Sequence, residues 1–148
     1  MNRLSKAGRL TGAALLIAVS ASIGTARADD VPSPCPAIKR IVAARHSGFA
    51  GLTPEDGHGI ARPSGSEPRC EVASGTYRCE WTPGSDGGTA SDVLEGVAAD
   101  IAACLPEATH DVNSPARQHF YLGERGNRTQ ITATVAHGGR LRLVFSGR

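Results

Sequence analysis

Segment 70–81 constrains the fold more than any other part of the chain. Its apolar and polar residues alternate on either side of Ser74-Gly75, a pair that suits a two-residue turn. Two alternating runs joined by such a turn predict a β-hairpin with one apolar face. The register that follows sets apolar residues opposite each other and joins one opposite-charge pair: Cys70 with Cys79, Glu71 with Arg78, and Val72 with Tyr77.

Two helices and three further strands complete the predicted fold. Apolar stripes at helical spacing predict helices over about residues 36–45 and from Thr89 or Ser91 to about residue 105. Alternation predicts strands over residues 118–124, 129–136 and 140–146. The order α-β-β-α-β-β-β indicates a two-layer α+β sandwich, with about five antiparallel strands and two helices on one face.

Turn composition sets the expected connections. A three-residue loop at 137–139 pairs Val135 with Leu141, and a four-residue loop at 125–128 pairs Leu122 with Ile131 and Phe120 with Ala133. Residues 106–117 are expected to form a loop. Residues 47–69 are rich in glycine and proline and predict a long loop, which is either functional or merely mobile.

The first 28 residues have the three parts of a secretory signal peptide. A basic start precedes an apolar stretch over residues 10–23 and the small-x-small pattern Ala26-Arg27-Ala28. We expect a Sec-type leader that is cleaved after Ala28, leaving a single α+β domain over residues 29–148 in the periplasm or outside the cell. The apolar stretch is short for a membrane span, which favours a leader over an anchor. After cleavage, no stable membrane insertion is expected.

The four cysteines predict two disulfide bonds, because an even number in a small exported domain is typical of a disulfide framework. Opposite positions in the hairpin favour a Cys70–Cys79 bond, which leaves Cys35 at the start of the first helix for Cys104 at the end of the second. The alternative joins Cys35 to Cys70 and Cys79 to Cys104, and the sequence leaves it open. There is no C-x-x-C spacing, so a zinc site built from thiolates is not expected.

Without the leader, the chain has no excess of positive charge. Four of the 16 basic residues and none of the 14 acidic residues lie in residues 1–28, so the remainder has a net charge of −2. This balance gives no electrostatic case for binding nucleic acid. The remaining arginines gather in the last third of the chain, whereas the second predicted helix is acidic. That asymmetry fits a positive sheet surface, or a general preference for arginine over lysine.

The sequence contains no recognisable catalytic constellation. Its five histidines are scattered, and no serine has the G-x-S-x-G context of a nucleophile. A loop-built acid–base or metal site would have to gather Asp56 and His58 with His110 and Asp111, and scattered surface histidines are the simpler interpretation. We therefore expect no catalytic residue, no metal site and no cofactor.

The strongest surface cluster lies on the polar side of the last strands. His119 and Tyr121 share one strand, and Arg140 and Arg142 lie on a nearby one. If no helix covers that side, the mixture suits contact with a partner protein or an anionic glycan. An ordinary solvated sheet face is the alternative.

Two hypotheses for function follow. The first is a small exported, disulfide-stapled domain that binds a protein or ligand without catalysis, as an inhibitor, immunity-type or envelope-associated protein would. Its partner would be a protein or glycan in the cell envelope or outside. The second is a small hydrolase or metal-dependent enzyme with a His/Asp site built from loops. The lack of a catalytic constellation in the sequence favours the first.

Overall fold

The structure, a computed structural model, describes residues 32–60 and 65–147, so the predicted leader lies outside the described residues. Within them, two helices pack on one face of an antiparallel sheet, which confirms the predicted α+β fold. The helices are α1 (Cys35–Ala43) and α2 (Ala90–Cys104). The strands are β1 (Arg69–Ala73), β2 (Thr76–Trp81), β3 (Thr109–Ser114), β4 (Arg117–Leu122), β5 (Thr129–Val135) and β6 (Leu141–Gly147).

The sheet has the order β1-β2-β6-β5-β4-β3, so the N-terminal hairpin joins the C-terminal strands through β6. The predicted hairpin register is confirmed, with Cys70 opposite Cys79 and Val72 opposite Tyr77. Tyr77 is fully buried, but Val72 is 41% exposed because β1 is an edge strand. The predicted pairing of Val135 with Leu141 is confirmed as well.

The prediction of a loop over residues 106–117 was wrong, because β3 lies within it. This sixth strand forms the second edge of the sheet, and its side chains are exposed or half-buried. Its only large apolar residue is Val112, so it lacks the alternation by which a half-buried strand is recognised. The register between β3 and β4 shifts between His110 and Val112, and such an irregularity makes an edge strand a poorer template for further strands.

The predicted pairing between β4 and β5 was also wrong, by two residues. Phe120 lies opposite Ile131 and Leu122 opposite Thr129, so the connection spans residues 123–128. A shift of two residues leaves every side chain on its original face, which is why the apolar pattern could not detect it. Gly123, with φ +86°, starts this longer connection in a conformation that glycine tolerates.

Both helices begin at residues that suit the start of a helix. Pro36 lies in the first turn of α1, a position that needs no backbone N–H donor. Thr89 caps α2: its hydroxyl accepts from the N–H of Asp92, whose carboxylate accepts from the N–H of Thr89. This exchange satisfies two otherwise unpaired donors.

Neither α1 nor α2 has the length and apolar character that a membrane-spanning helix needs.

Both disulfide bonds match the favoured pairing. Cys70 and Cys79 are bonded across the hairpin, with 4.0 Å between their Cα atoms. Cys35 and Cys104 join the start of α1 to the end of α2 across 69 positions of sequence. The alternative pairing is therefore wrong. Disulfides are typical of proteins that mature in an oxidising compartment.

The described part of the predicted 47–69 loop is held against the hairpin. Residues Pro54–Gly57 form a short 3-10 helix, in which Gly57 is buried against the Cys70–Cys79 bond. The Tyr77 hydroxyl donates to the carbonyl of Thr53 at 2.8 Å. Asp56 accepts from the Thr53 N–H at 2.7 Å and pairs with Arg40 at 2.6 Å. Asp56 thus helps to hold the loop on the domain.

The buried Tyr77 side chain gives a testable pH dependence. Loss of hydration on burial raises the pKa of its phenol to about 12. The stability that this shift provides is complete below about pH 10, the ordinary phenol pKa, and is lost as the pH rises through about 12. A Tyr121→Phe variant has Tyr77 as its only tyrosine. Its ultraviolet titration should have a midpoint near 12, and a midpoint near 10 would contradict the burial.

Candidate functional site

The side of the sheet opposite the helices is the candidate site. We call it the outer sheet face, defined as the outward side chains of β1 to β6 with Arg128 and Arg140, which contact them. Within the described residues, neither helix covers this face, because α1 and α2 both pack on the apolar side of the sheet. The sequence predicts a binding surface on the condition that no helix covers the polar side of the last strands. The described part of the chain meets that condition.

A row of arginines crosses the outer sheet face at right angles to the strands. The register aligns Arg69 of β1, Arg142 of β6 and Arg117 of β4, with Glu80 of β2 and Thr134 of β5 between them. We call these five residues the arginine row. Every second strand thus contributes a guanidinium group, and these positions lie about 10 Å apart because neighbouring strands are about 4.8 Å apart.

The carboxylates of the outer sheet face are already paired with bases. Arg142 Nε donates to Glu80 at 2.6 Å, and Arg140 lies 3.8 Å from the same carboxylate. Elsewhere on the face, Glu71 pairs with Arg78 at 3.7 Å. Six arginines thus accompany three paired carboxylates, which gives the face an excess of positive charge. The six are Arg69, Arg78, Arg117, Arg128, Arg140 and Arg142, and the third carboxylate is Asp111.

His119 and Asp111 form a close pair on the outer sheet face. His119 Nδ1 lies 2.5 Å from Asp111 Oδ1, and Asp111 occupies the irregular position of β3. The hydrogen bond with His119 lowers the pKa of the Asp111 carboxyl. The His119 side chain is mostly covered, whereas that of Asp111 is 41% exposed. The pair fixes the orientation of the imidazole at the β3 edge.

Tyr121 lies further along β4 and is covered by Arg128. The Arg128 guanidinium carbon is 4.1 Å from the centre of the Tyr121 ring, a cation–π arrangement. His119 and Tyr121 therefore share the face with Arg140 and Arg142, but β5 separates the two pairs. The four residues predicted from the sequence lie on one surface without forming a single contact cluster.

A groove of about 780 Å³ opens at the β1–β2 side of the outer sheet face. Its walls include Arg69 and Glu80 of the arginine row, together with Arg78 and Arg140. Glu67 adds a carboxylate to the wall. The segment before β1 is held beside the groove, because the Ser66 N–H donates to the carbonyl of Thr82 at 2.9 Å. The groove thus exposes both signs of charge, and its arginines continue into the row.

Three residues of the enzyme hypothesis, Asp56, His110 and Asp111, have separate local roles in the structure, Asp111 as the partner of His119. Asp56 holds the 3-10 helix Pro54–Gly57, as described above. His110 stacks on Phe120 with 4.0 Å between ring centres, and its Nε2 lies 2.7 Å from Gln118 Oε1. Among residues 32–60 and 65–147, no group of three or more His, Cys, Asp or Glu side chains could hold a metal ion.

Sequence reasoning missed several members of the site. Glu80 and Arg69 could have been found, because the hairpin register already placed them on the outer side. Arg117 could not have been found, since the composition of residues 106–117 predicts a loop.

Comparison with protein-family models, with curated proteins and with solved structures finds no match.

Proposed function

We propose that this chain is an exported, disulfide-stapled binding module that acts without catalysis. In this proposal the leader directs export by the Sec route and is cleaved after Ala28, and residues 29–148 act in the periplasm or outside the cell. The basic-apolar-small pattern of residues 1–28 supports the leader. The two disulfides support an oxidising compartment.

The uncovered outer sheet face is the observation that carries the proposal. A sheet face with paired carboxylates and surplus arginines offers pre-positioned donors over a broad area. Arginine and tyrosine are enriched where proteins contact partners, because they combine a large contact area with directional hydrogen bonds. The proposed partner is a protein or a glycan of the cell envelope or exterior, held through Tyr121 and Arg142.

Replacing both Tyr121 and Arg142 with alanine should weaken partner capture about tenfold or more, because the change removes an aromatic and a cationic anchor from one surface. The measurement is capture of the partner on immobilised mature protein, quantified against wild type. A Glu95→Ala variant is the control, since Glu95 is exposed on α2, on the other side of the sheet. Unchanged capture by the double variant, with folding intact, would remove the outer sheet face from the proposal.

A further inference from the structure

We propose that the ligand of the outer sheet face is a linear carboxylated polysaccharide that lies along the arginine row, across the strands. This inference rests on the proposed function, because it uses the same face, and it adds the chemical class and the direction of the ligand. The juxtaposition that carries it is the alignment of Arg69, Arg142 and Arg117 on alternate strands of one sheet.

The regular spacing of the row favours a linear polymer. Hydrogen bonding between strands fixes the three arginines about 10 Å apart along one line, a distance set by two strand spacings. That interval is close to the length of a disaccharide, so in a linear chain of uronic acids every second carboxylate would fall in step with the row.

The chemistry of the row also suits carboxylates on a sugar chain. A guanidinium group is a planar fork that binds a carboxylate through two parallel hydrogen bonds. The Nε of Arg142 is taken by Glu80, which orients the guanidinium and leaves its terminal nitrogens without a described partner. Thr134, between Arg142 and Arg117, supplies a hydroxyl that can bond a sugar hydroxyl.

The distribution of charge over the domain favours binding of such a ligand to the outer sheet face. On the helical side of the sheet, α2 and the turn that follows it have acidic side chains and no basic one: Asp92, Glu95, Asp100 and Glu107. The basic residues of the helical side, Lys39 and Arg40, lie on α1, so the α2 surface repels a polyanion and the outer sheet face attracts it. This attraction is between exposed charges, so it should weaken as salt is added.

The test measures binding of an oligogalacturonate to the mature protein by titration calorimetry. Its methyl ester, which has the same sugar chain without charge, is the matched ligand control, and polyglutamate represents an acidic polypeptide. We expect binding of the oligogalacturonate alone. Arg69→Gln and Arg117→Gln should each weaken it about two- to fivefold, as expected for exposed ion pairs. Lys39→Gln, an equal charge change on the exposed side of α1, should leave it unchanged.

Glu80→Gln provides a test with the opposite sign. This change removes the negative charge beside Arg140 and Arg142 but keeps an oxygen that can accept from Arg142 Nε, so oligogalacturonate should bind about two- to fivefold more tightly. Thermal unfolding of each variant verifies that the fold is intact, so that a change in affinity reports on the row.

The outcomes separate this inference from the proposed function. Binding of polyglutamate without oligogalacturonate would overturn the polysaccharide and leave a protein-binding face. Oligogalacturonate binding that ignores Arg69→Gln and Arg117→Gln would overturn the row as the site. If wild type binds none of these ligands, the inference fails. The proposed function has a separate test. It fails if the Tyr121→Ala/Arg142→Ala variant captures its partner as well as wild type.

Discussion

Removing the Cys35–Cys104 disulfide, by changing both residues to alanine, should lower the free energy of unfolding by about 4 kcal/mol. The bond spans 69 positions of sequence, so its loss restores a large conformational freedom to the unfolded chain. Alanine is chosen because Cys104 is buried, where a serine hydroxyl would need a hydrogen-bond partner. Chemical unfolding followed by the fluorescence of Trp81, the single tryptophan, measures the change.

The hairpin disulfide supplies the comparison. Cys70 and Cys79 are separated by 9 positions, so in the same chain-entropy model their bond contributes about 3 kcal/mol. Equal unfolding free energies for wild type and the Cys35→Ala/Cys104→Ala variant would contradict the account. Four titratable thiols in the protein purified without reductant would also contradict it.

Replacing Gly57 with alanine should destabilise the fold by about 3 kcal/mol, a cost typical of overpacking a tight core site. An added Cβ would lie 2.2 Å from Cys70 Sγ and 2.5 Å from Cys79 Sγ, closer than such atoms can approach. The 3-10 helix Pro54–Gly57 would have to move away from the hairpin, which would break the hydrogen bond from Tyr77 to Thr53. Unfolding in denaturant measures the loss.

Two variants make the Gly57 prediction specific. Gly96→Ala is the matched control: Gly96 lies within α2 and an added Cβ meets nothing within 4 Å, so it should stabilise by about 0.5–1 kcal/mol. In a Cys70→Ala/Cys79→Ala background the obstructing sulfurs are gone. Gly57→Ala should then cost much less, and an undiminished cost would show that the clash with the disulfide is not the cause.

The hairpin and its disulfide could be predicted from sequence because several local signals agree there. A two-residue turn, strict alternation and the Glu71–Arg78 pair all specify one register, and that register sets Cys70 opposite Cys79. The favoured pairing of Cys35 with Cys104 then follows by elimination. Such agreement between turn chemistry, alternation and cross-strand pairing is what makes a local structure predictable.

The remaining parts of the fold depend on contacts that the sequence does not display locally. The edge strand β3 has no apolar alternation, since neither of its sides is deeply buried. The site suffers from the same limitation. Arg117 joins Arg69 and Arg142 only through the pairings of β4 with β5 and β5 with β6, and the first of these was predicted two residues out of register. An arrangement spread over five strands therefore needs the three-dimensional structure.

Site-specific photo-cross-linking tests the central claim, that the partner binds the outer sheet face. A diazirine side chain at Thr132, which faces outward on β5, inserts into bonds of proteins and glycans alike, and the same group at Ala99 samples the exposed side of α2. In cells that produce the protein, we expect a cross-linked partner from position 132 and none from position 99. Cross-linking from position 99 alone would contradict the account.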